Sequence, residues 1–181
     1  MTLLIIGLIL WIAAHLFKRV APGPRETMGN AGKGVAAVAI LAGLVLMVLG
    51  YRQAEFVNVW YPPSWTVHLN NLLMLFAVFF FAMSHSKGRL KARFRHPMLA
   101  SVKIWAVAHL LVNGDLASII LFGGLLVWAV LEVILINRSE PWVAPQPGDP
   151  KRDVILVVAT VVGFVVIAAI HYWLGVSPFP G

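Results

Sequence analysis

The sequence predicts an all-α fold, a polytopic membrane helical bundle of about six transmembrane helices with both termini outside. Three observations support this fold class. Hydrophobic residues make up 60% of the 181 residues and charged residues only 12%, so the chain lacks the polar surface that a soluble monomer requires. The apolar residues form stretches of about membrane length. The basic residues concentrate in alternate connections between these stretches, as in multi-pass membrane proteins.

Six apolar stretches approach the roughly 20 residues that a helix needs to cross a bilayer. They run approximately over Leu3–Phe17, Val35–Gly50, Thr66–Met83, Pro97–Val112, Leu116–Ile136 and Val154–Leu174. Basic residues follow the first stretch and do not precede it. This order is the reverse of a cleavable signal peptide, so we expect the stretch to remain as a helix. The fourth stretch is interrupted by Lys103.

Turn-forming residues separate the stretches. They are Pro22, Gly23 and Pro24 after the first, Pro62 and Pro63 before the third, Asn113 and Gly114 after the fourth, and four prolines between residues 141 and 150. No connection resembles a linker between independent domains. The sequence therefore predicts one transmembrane domain over residues 1–181.

The distribution of Lys and Arg predicts the orientation. Twelve of the 14 basic residues lie in the connections after the first, third and fifth stretches. By the positive-inside rule these connections face the cytoplasm and both termini face outward. Topology thereby explains the net charge of +7, and we expect membrane lipid as a partner and no nucleic acid. Cysteine is absent, which excludes disulfides, thiolate metal sites and thiol nucleophiles.

Two hexapeptides place a tryptophan four residues before a histidine. They are WIAAHL, which contains Trp11 and His15, and WAVAHL, which contains Trp105 and His109. Residues four apart share a face of a helix, so each pair forms a stripe of indole and imidazole. An ionisable residue within a membrane helix is by default a functional-site hypothesis. These four residues are the candidate cofactor site.

Two imidazoles from two helices suit the axial positions of a haem iron. We therefore consider His15 and His109 as metal ligands, with Trp11 and Trp105 packing on the porphyrin or anchoring their helices. The alternative is that each histidine hydrogen-bonds to a neighbouring helix and only stabilises packing. No catalytic triad, acid and base carboxylate pair, phosphate loop or zinc spacing is present, so catalytic residues are unknown.

The end of the fourth stretch supplies two secondary candidates. Asn113 would extend the stripe of His109 by one helical turn. Asp115 would cap the next helix, with Gly114 ending the previous one, or would handle protons beside a cofactor. If Lys103 marks the inner interface, the turn around Gly114 falls short of the outer surface. We then expect protein or water to cover it.

Glu132 and His96 are the other secondary candidates. Glu132 is the only carboxylate inside a predicted span. In a hairpin that turns near Gly114, it would lie opposite His96 and Arg95. We expect an ion pair or hydrogen bond for Glu132 there.

Two strings carry a family resemblance. The stretch RHPMLASVKIWAVAHLLVNGDLASIILFGGLLVWAV, residues 95–130, resembles the NnrU family of bacterial membrane proteins, and AAHL at residues 13–16 matches its N-terminal histidine motif. The resemblance extends over the whole chain, including the YPPSW segment. It implies a multi-pass protein of the bacterial inner (cytoplasmic) membrane. It also implies a role in denitrification, as a sensor or maturation factor for nitric oxide or nitrite reductase.

The NnrU family is similar to 15-cis-zeta-carotene isomerase, a membrane enzyme with a haem b held by two histidines. By this resemblance His15 and His109 look like the haem ligands, and His96 matches a further histidine of the isomerase. Ala106 stands where the plant isomerase has a cysteine, which argues against ligand exchange of that type. Three hypotheses result: a haem protein of nitrogen-oxide metabolism, a haem-dependent isomerase of a polyene lipid, and a cofactor-free assembly partner.

Overall fold

The computed structural model describes residues 1–179 and is helical. Its seven α-helices are α1 (Thr2–Val20), α2 (Pro22–Thr27), α3 (Gly29–Arg52), α4 (Thr66–His85), α5 (Pro97–Leu110), α6 (Leu116–Ser139) and α7 (Lys151–Trp173), and a 3₁₀ helix covers Leu90–Arg93. One isolated bridge is the only β-pairing within residues 1–179, so the all-α prediction is confirmed.

Five helices, α1, α3, α4, α6 and α7, are long and apolar enough to cross a membrane. This supports a helical membrane protein. The fourth predicted span differs, because α5 begins at Pro97 and ends after 14 residues at Leu110. At 1.5 Å per residue it extends about 21 Å, less than the roughly 30 Å of a bilayer core. The six predicted stretches therefore correspond to five long helices and one short one, and the number of spans and the placement of the termini stay predictions.

The chain divides into two compact units, and the interpretation as a single domain stays a prediction. The first comprises residues 1–61 and 113–140, and the second comprises residues 62–112 and the described residues from Pro141 onward. In the first unit α1 packs closely on α3 through glycines. A Cβ at Gly7 would lie 2.6 Å from the Met47 backbone nitrogen, and one at Gly50 would clash with the Leu4 backbone. Close approach of this kind is typical of helices joined by small residues.

An extended segment of the first unit covers the turn before α6. The amide nitrogens of Val59 and Trp60 donate to the Gly114 carbonyl oxygen at 2.8 and 3.1 Å. The Leu116 amide nitrogen donates to the Val57 carbonyl oxygen at 2.8 Å. These bonds pair backbone groups of the turn with other protein backbone, as expected for a turn that falls short of the outer surface.

In the second unit α4 packs against α5 and α7. The buried Ser101 of α5 donates its hydroxyl to the Ala77 carbonyl oxygen of α4 at 2.8 Å. The 3₁₀ helix follows α4, and its Lys91 donates Nζ to the Ser84 carbonyl oxygen at 3.1 Å. Burial lowers the pKa of the Lys91 ammonium. Lys91 is thus held against the end of α4 and is not one of the solvated cations of this connection.

Candidate functional site

His15 lies on α1 with a defined tautomer. Its Nδ1 is 2.9 Å from the Trp11 carbonyl oxygen, one helical turn earlier. Because a carbonyl only accepts, Nδ1 carries a proton, and in the neutral imidazole this leaves Nε2 as the acceptor nitrogen. The imidazole also stacks on the Trp11 indole, with ring centroids 4.4 Å apart. The stripe predicted from the WIAAHL spacing is therefore present.

Trp128 of α6 completes the surroundings of His15. Its indole lies edge-on to the imidazole, with centroids 4.7 Å apart, and edge-on to Trp11 at 5.6 Å. Trp128 is buried, and sequence reasoning did not single it out. The sequence did contain a signal for it. Trp128 lies four residues before Glu132 on one helix, and this is the same spacing of a tryptophan and an ionisable residue as in Trp11 and His15.

Two buried donors beside His15 lack acceptors. Within residues 1–179, the Nε1 atoms of Trp11 and Trp128 have no hydrogen-bond partner. An unsatisfied buried N–H costs about 1–3 kcal/mol, and such groups in a native protein call for an explanation. Both indoles contact the imidazole that carries a free lone pair. The cluster of Trp11, His15 and Trp128, named here the indole–histidine cluster, is thus suited to a ligand that brings its own acceptors.

An ion-pair network lies one helical turn beyond His15 on α1 and beyond Trp128 on α6. Arg19 of α1 donates Nε to Glu132 Oε1 at 3.1 Å and Nη1 to Glu140 Oε1 at 2.9 Å. Arg19 and Glu132 are mostly buried, with side chains 16% and 13% exposed, whereas Glu140 is 53% exposed. The ion pair expected for Glu132 is present. Its partner is Arg19, whereas the sequence indicated the neighbourhood of Arg95 and His96.

Asp115 is the N-cap of α6, as predicted. Its Oδ1 accepts from the Ser118 amide nitrogen at 2.9 Å, and its Oδ2 accepts from the Ser118 hydroxyl. Tyr51 of α3 joins this network through a 2.8 Å hydrogen bond to Ser118 Oγ. One related expectation is wrong, because α5 ends at Leu110 and Gly114 therefore does not terminate it. Asn113 lies beyond this end, and its place beside His109 stays a prediction.

The second unit holds the other stripe. His109 and Trp105 of α5 lie edge-on with centroids 5.3 Å apart, so the WAVAHL spacing also gives the predicted contact. Trp105 lines a groove of about 260 Å³ together with His171 of α7. His171 donates Nδ1 to the Ile167 carbonyl oxygen at 2.8 Å. His96 is the residue before Pro97, and its carbonyl oxygen accepts from the Ala100 amide nitrogen at 2.9 Å at the start of α5.

The comparisons with known proteins bear on the whole chain. The family model described as NnrU protein matches residues 3–178. The chain belongs to the NnrU family. A search of curated proteins and a search of solved structures each found no match.

A haem held by two histidines asks for fewer protein ligands than a multidentate metal site does. No group of three His, Asp or Glu side chains within residues 1–179 could hold a metal ion. A bis-histidine haem requires only two protein ligands, since the porphyrin supplies the others. In the first unit the Nδ1 of His15 is held by a carbonyl oxygen, as is typical of histidines that ligate a metal through Nε2.

Proposed function

We propose that this NnrU-family protein binds haem b in the bacterial inner (cytoplasmic) membrane, and that His15 and His109 would be the residues that hold its iron. We further propose that it supports nitrogen-oxide metabolism as a sensor or maturation factor for nitric oxide or nitrite reductase. The observation that carries the haem proposal is the His15 Nδ1–H hydrogen bond to the Trp11 carbonyl oxygen. It directs the lone pair to Nε2, as in haem-ligating histidines. The pairing with His109 comes from the sequence and the resemblance.

The protein's own groups have separate tasks in this proposal. The Trp11 carbonyl oxygen fixes the tautomer and the orientation of the His15 ring. Trp11 and Trp128 exclude water from the imidazole and offer two unpaired indole N–H donors to acidic groups of the cofactor. Arg19, held by Glu132, keeps a positive charge one turn away. A bound haem would supply a one-electron redox centre, and it could bind a diatomic ligand such as nitric oxide if one histidine were displaced.

A haem-dependent isomerase of a polyene lipid is the second candidate. The apolar groove beside Trp105 favours it, because a polyene needs a long apolar surface. The cofactor-free assembly partner is the remaining alternative, in which both histidines only stabilise packing.

Absorption spectra of the detergent-purified protein, oxidised and dithionite-reduced, test the haem. The expression host is supplied with haem, and His15→Ala and His109→Ala are compared with His68→Ala, which removes an exposed histidine of α4. We expect a Soret band with reduced α and β bands in the wild type and in His68→Ala. Both ligand variants should lose or shift these bands.

The outcomes separate the three hypotheses. A colourless wild type would exclude both haem functions and leave the assembly partner. A haem spectrum that survives both ligand substitutions would refute the ligand assignment. With haem established, a spectral shift on adding nitric oxide supports the sensor, and conversion of a cis-polyene supports the isomerase.

A further inference from the structure

The second unit contains a large groove between α4 and α7 that the proposed haem function does not use. It has a volume of about 530 Å³, and its walls include Val78 and Phe81 of α4 and Ile155, Ala159 and Val166 of α7. The lining of α7 extends from residue 152 to residue 167, about 22 Å at 1.5 Å per residue. One leaflet of a bilayer core is about 15 Å thick. The groove is therefore long enough for an acyl chain.

One end of the groove is cationic. His85, Ser86, Lys87 and Arg152 line it there, next to the apolar walls. Lys87 and Arg152 are exposed, and neither has an ion-pair partner within the described residues 1–179. The carboxylate of Asp153 is engaged elsewhere, since Oδ1 accepts from the Leu90 amide nitrogen at 3.1 Å. Two unpaired cations thus sit where an apolar groove begins.

The backbone around this end is closely packed. A Cβ at Gly148 would clash with the Lys87 carbonyl oxygen, and a Cβ at Gly88 would clash with Asp153 Oδ1. Ser86 Oγ accepts from the Gly88 amide nitrogen at 3.0 Å, which tightens the turn after α4. These contacts hold the connection that carries Lys87 against the start of α7. These backbone contacts therefore keep Lys87 and Arg152 at the same end of the groove.

We propose that this groove binds an anionic phospholipid, with its phosphate between Lys87 and Arg152 and an acyl chain along α4 and α7. The name phospholipid groove is used below for this site. Charge complementarity selects the headgroup. Residues 84–90 and 148–156 contain four Lys or Arg residues and two Asp residues, an excess of two positive charges. The positive-inside rule places this end at the cytoplasmic leaflet, which is rich in anionic lipid.

The apolar walls distinguish a bound phospholipid from a free phosphate. A phosphate ion would use only the cationic end, whereas the groove continues for several turns between Phe81 and Ile167. Basic pockets between membrane helices on the cytoplasmic side are typical sites for acidic headgroups. The proposal does not depend on haem, so either can fail without the other.

Native mass spectrometry of the full chain released from nanodiscs tests the proposal. The nanodiscs contain equal amounts of phosphatidylglycerol and phosphatidylcholine. We expect the wild type to retain phosphatidylglycerol preferentially. Each of Lys87→Gln and Arg152→Gln should reduce this preference on the order of five-fold, as expected for a cation near an anionic headgroup. Arg93→Gln is the matched control, because Arg93 is an exposed cation of the same connection that does not line the groove.

Filling the apolar part gives an independent test. Gly163→Leu places a side chain toward Val78 inside the groove, and Ala159→Leu does the same one turn away. Either variant that folds, as judged by circular dichroism, should lose the bound lipid while Lys87 and Arg152 remain. Equal retention of both lipids by the wild type would overturn the proposal. So would an unchanged preference in the Lys87→Gln, Arg152→Gln double variant, or an equal loss in Arg93→Gln.

Discussion

The two units of the molecule pack their helices in different ways. In the first, glycines bring the backbones of α1 and α3 together, and Gly7, Gly43 and Gly50 are all buried. In the second, a groove of about 530 Å³ remains between α4 and α7, and its walls include larger side chains such as Phe81 and Leu156. Side-chain size at the contact decides whether two membrane helices close or leave space for a lipid.

The two units also differ in how completely their charged side chains are paired. Arg19 of the first unit is bound by Glu132 and Glu140, and Asp115 is bound by the backbone and hydroxyl of Ser118. In the second unit Lys87 and Arg152 have no carboxylate partner among the described residues. A charge within a bilayer must be paired, whereas a charge at its surface can use lipid phosphate. The comparison predicts that substitutions in the first unit affect stability more than equivalent ones in the second.

The largest expected effect comes from adding a methyl group at the contact between α1 and α3, where there is no space for it. Gly50→Ala in α3 adds a methyl group against the Leu4 backbone, which cannot move as a side chain can. We expect a loss of about 3 kcal/mol or more in the free energy of unfolding. Gly163→Ala in α7 is the matched control, because its Cβ would lie 3.4 Å from Val78 Cγ1, an ordinary contact. Thermal unfolding in detergent followed by tryptophan fluorescence measures both, and similar losses would contradict the comparison.

A smaller effect is expected from breaking the ion pair of the first unit. Glu132→Ala leaves the mostly buried Arg19 with only its exposed partners Ser139 and Glu140. We expect a loss of about 2 kcal/mol, less than the roughly 3–5 kcal/mol of a fully buried pair. Glu140→Ala is the control and should cost less than about 1 kcal/mol, since solvent screens that pair. Unfolding midpoints in detergent give the ranking, and a larger effect of Glu140→Ala would reverse the assigned roles.

The smallest effect concerns single hydroxyl groups. Tyr51→Phe removes one of the two partners of the fully buried Ser118 Oγ, which keeps its bond to Asp115, and should cost about 1 kcal/mol. Ser101→Ala in the second unit removes a donor to the Ala77 carbonyl oxygen of a helix, which leaves no new unsatisfied group, so we expect about 0.5 kcal/mol or less. The same unfolding assay compares them. A greater loss for Ser101→Ala would show that the second unit depends on polar contacts as strongly as the first.

Much of the local structure could be predicted from the sequence. Apolar length indicated α1, α3, α4, α6 and α7, and a spacing of four predicted both the Trp11–His15 and the Trp105–His109 contacts. The end of α5 at Leu110 could not be predicted, because apolar residues continue to Val112. At that point the helix gives way to a tighter turn, in which the Leu111 and Val112 amide nitrogens donate to the Ala108 and His109 carbonyl oxygens.

The sequence by itself determined the helical character, the membrane-length stretches and the i, i+4 stripes, because each depends on residues within a few turns of one another. It also determined family membership. Only the tertiary structure decided that Trp128 packs on His15, that Arg19 pairs with Glu132, and that Lys87 and Arg152 share one groove. These contacts join residues 65 or more positions apart and depend on the register of packed helices. Side-chain volume and glycine placement set that register, and no local pattern reports it.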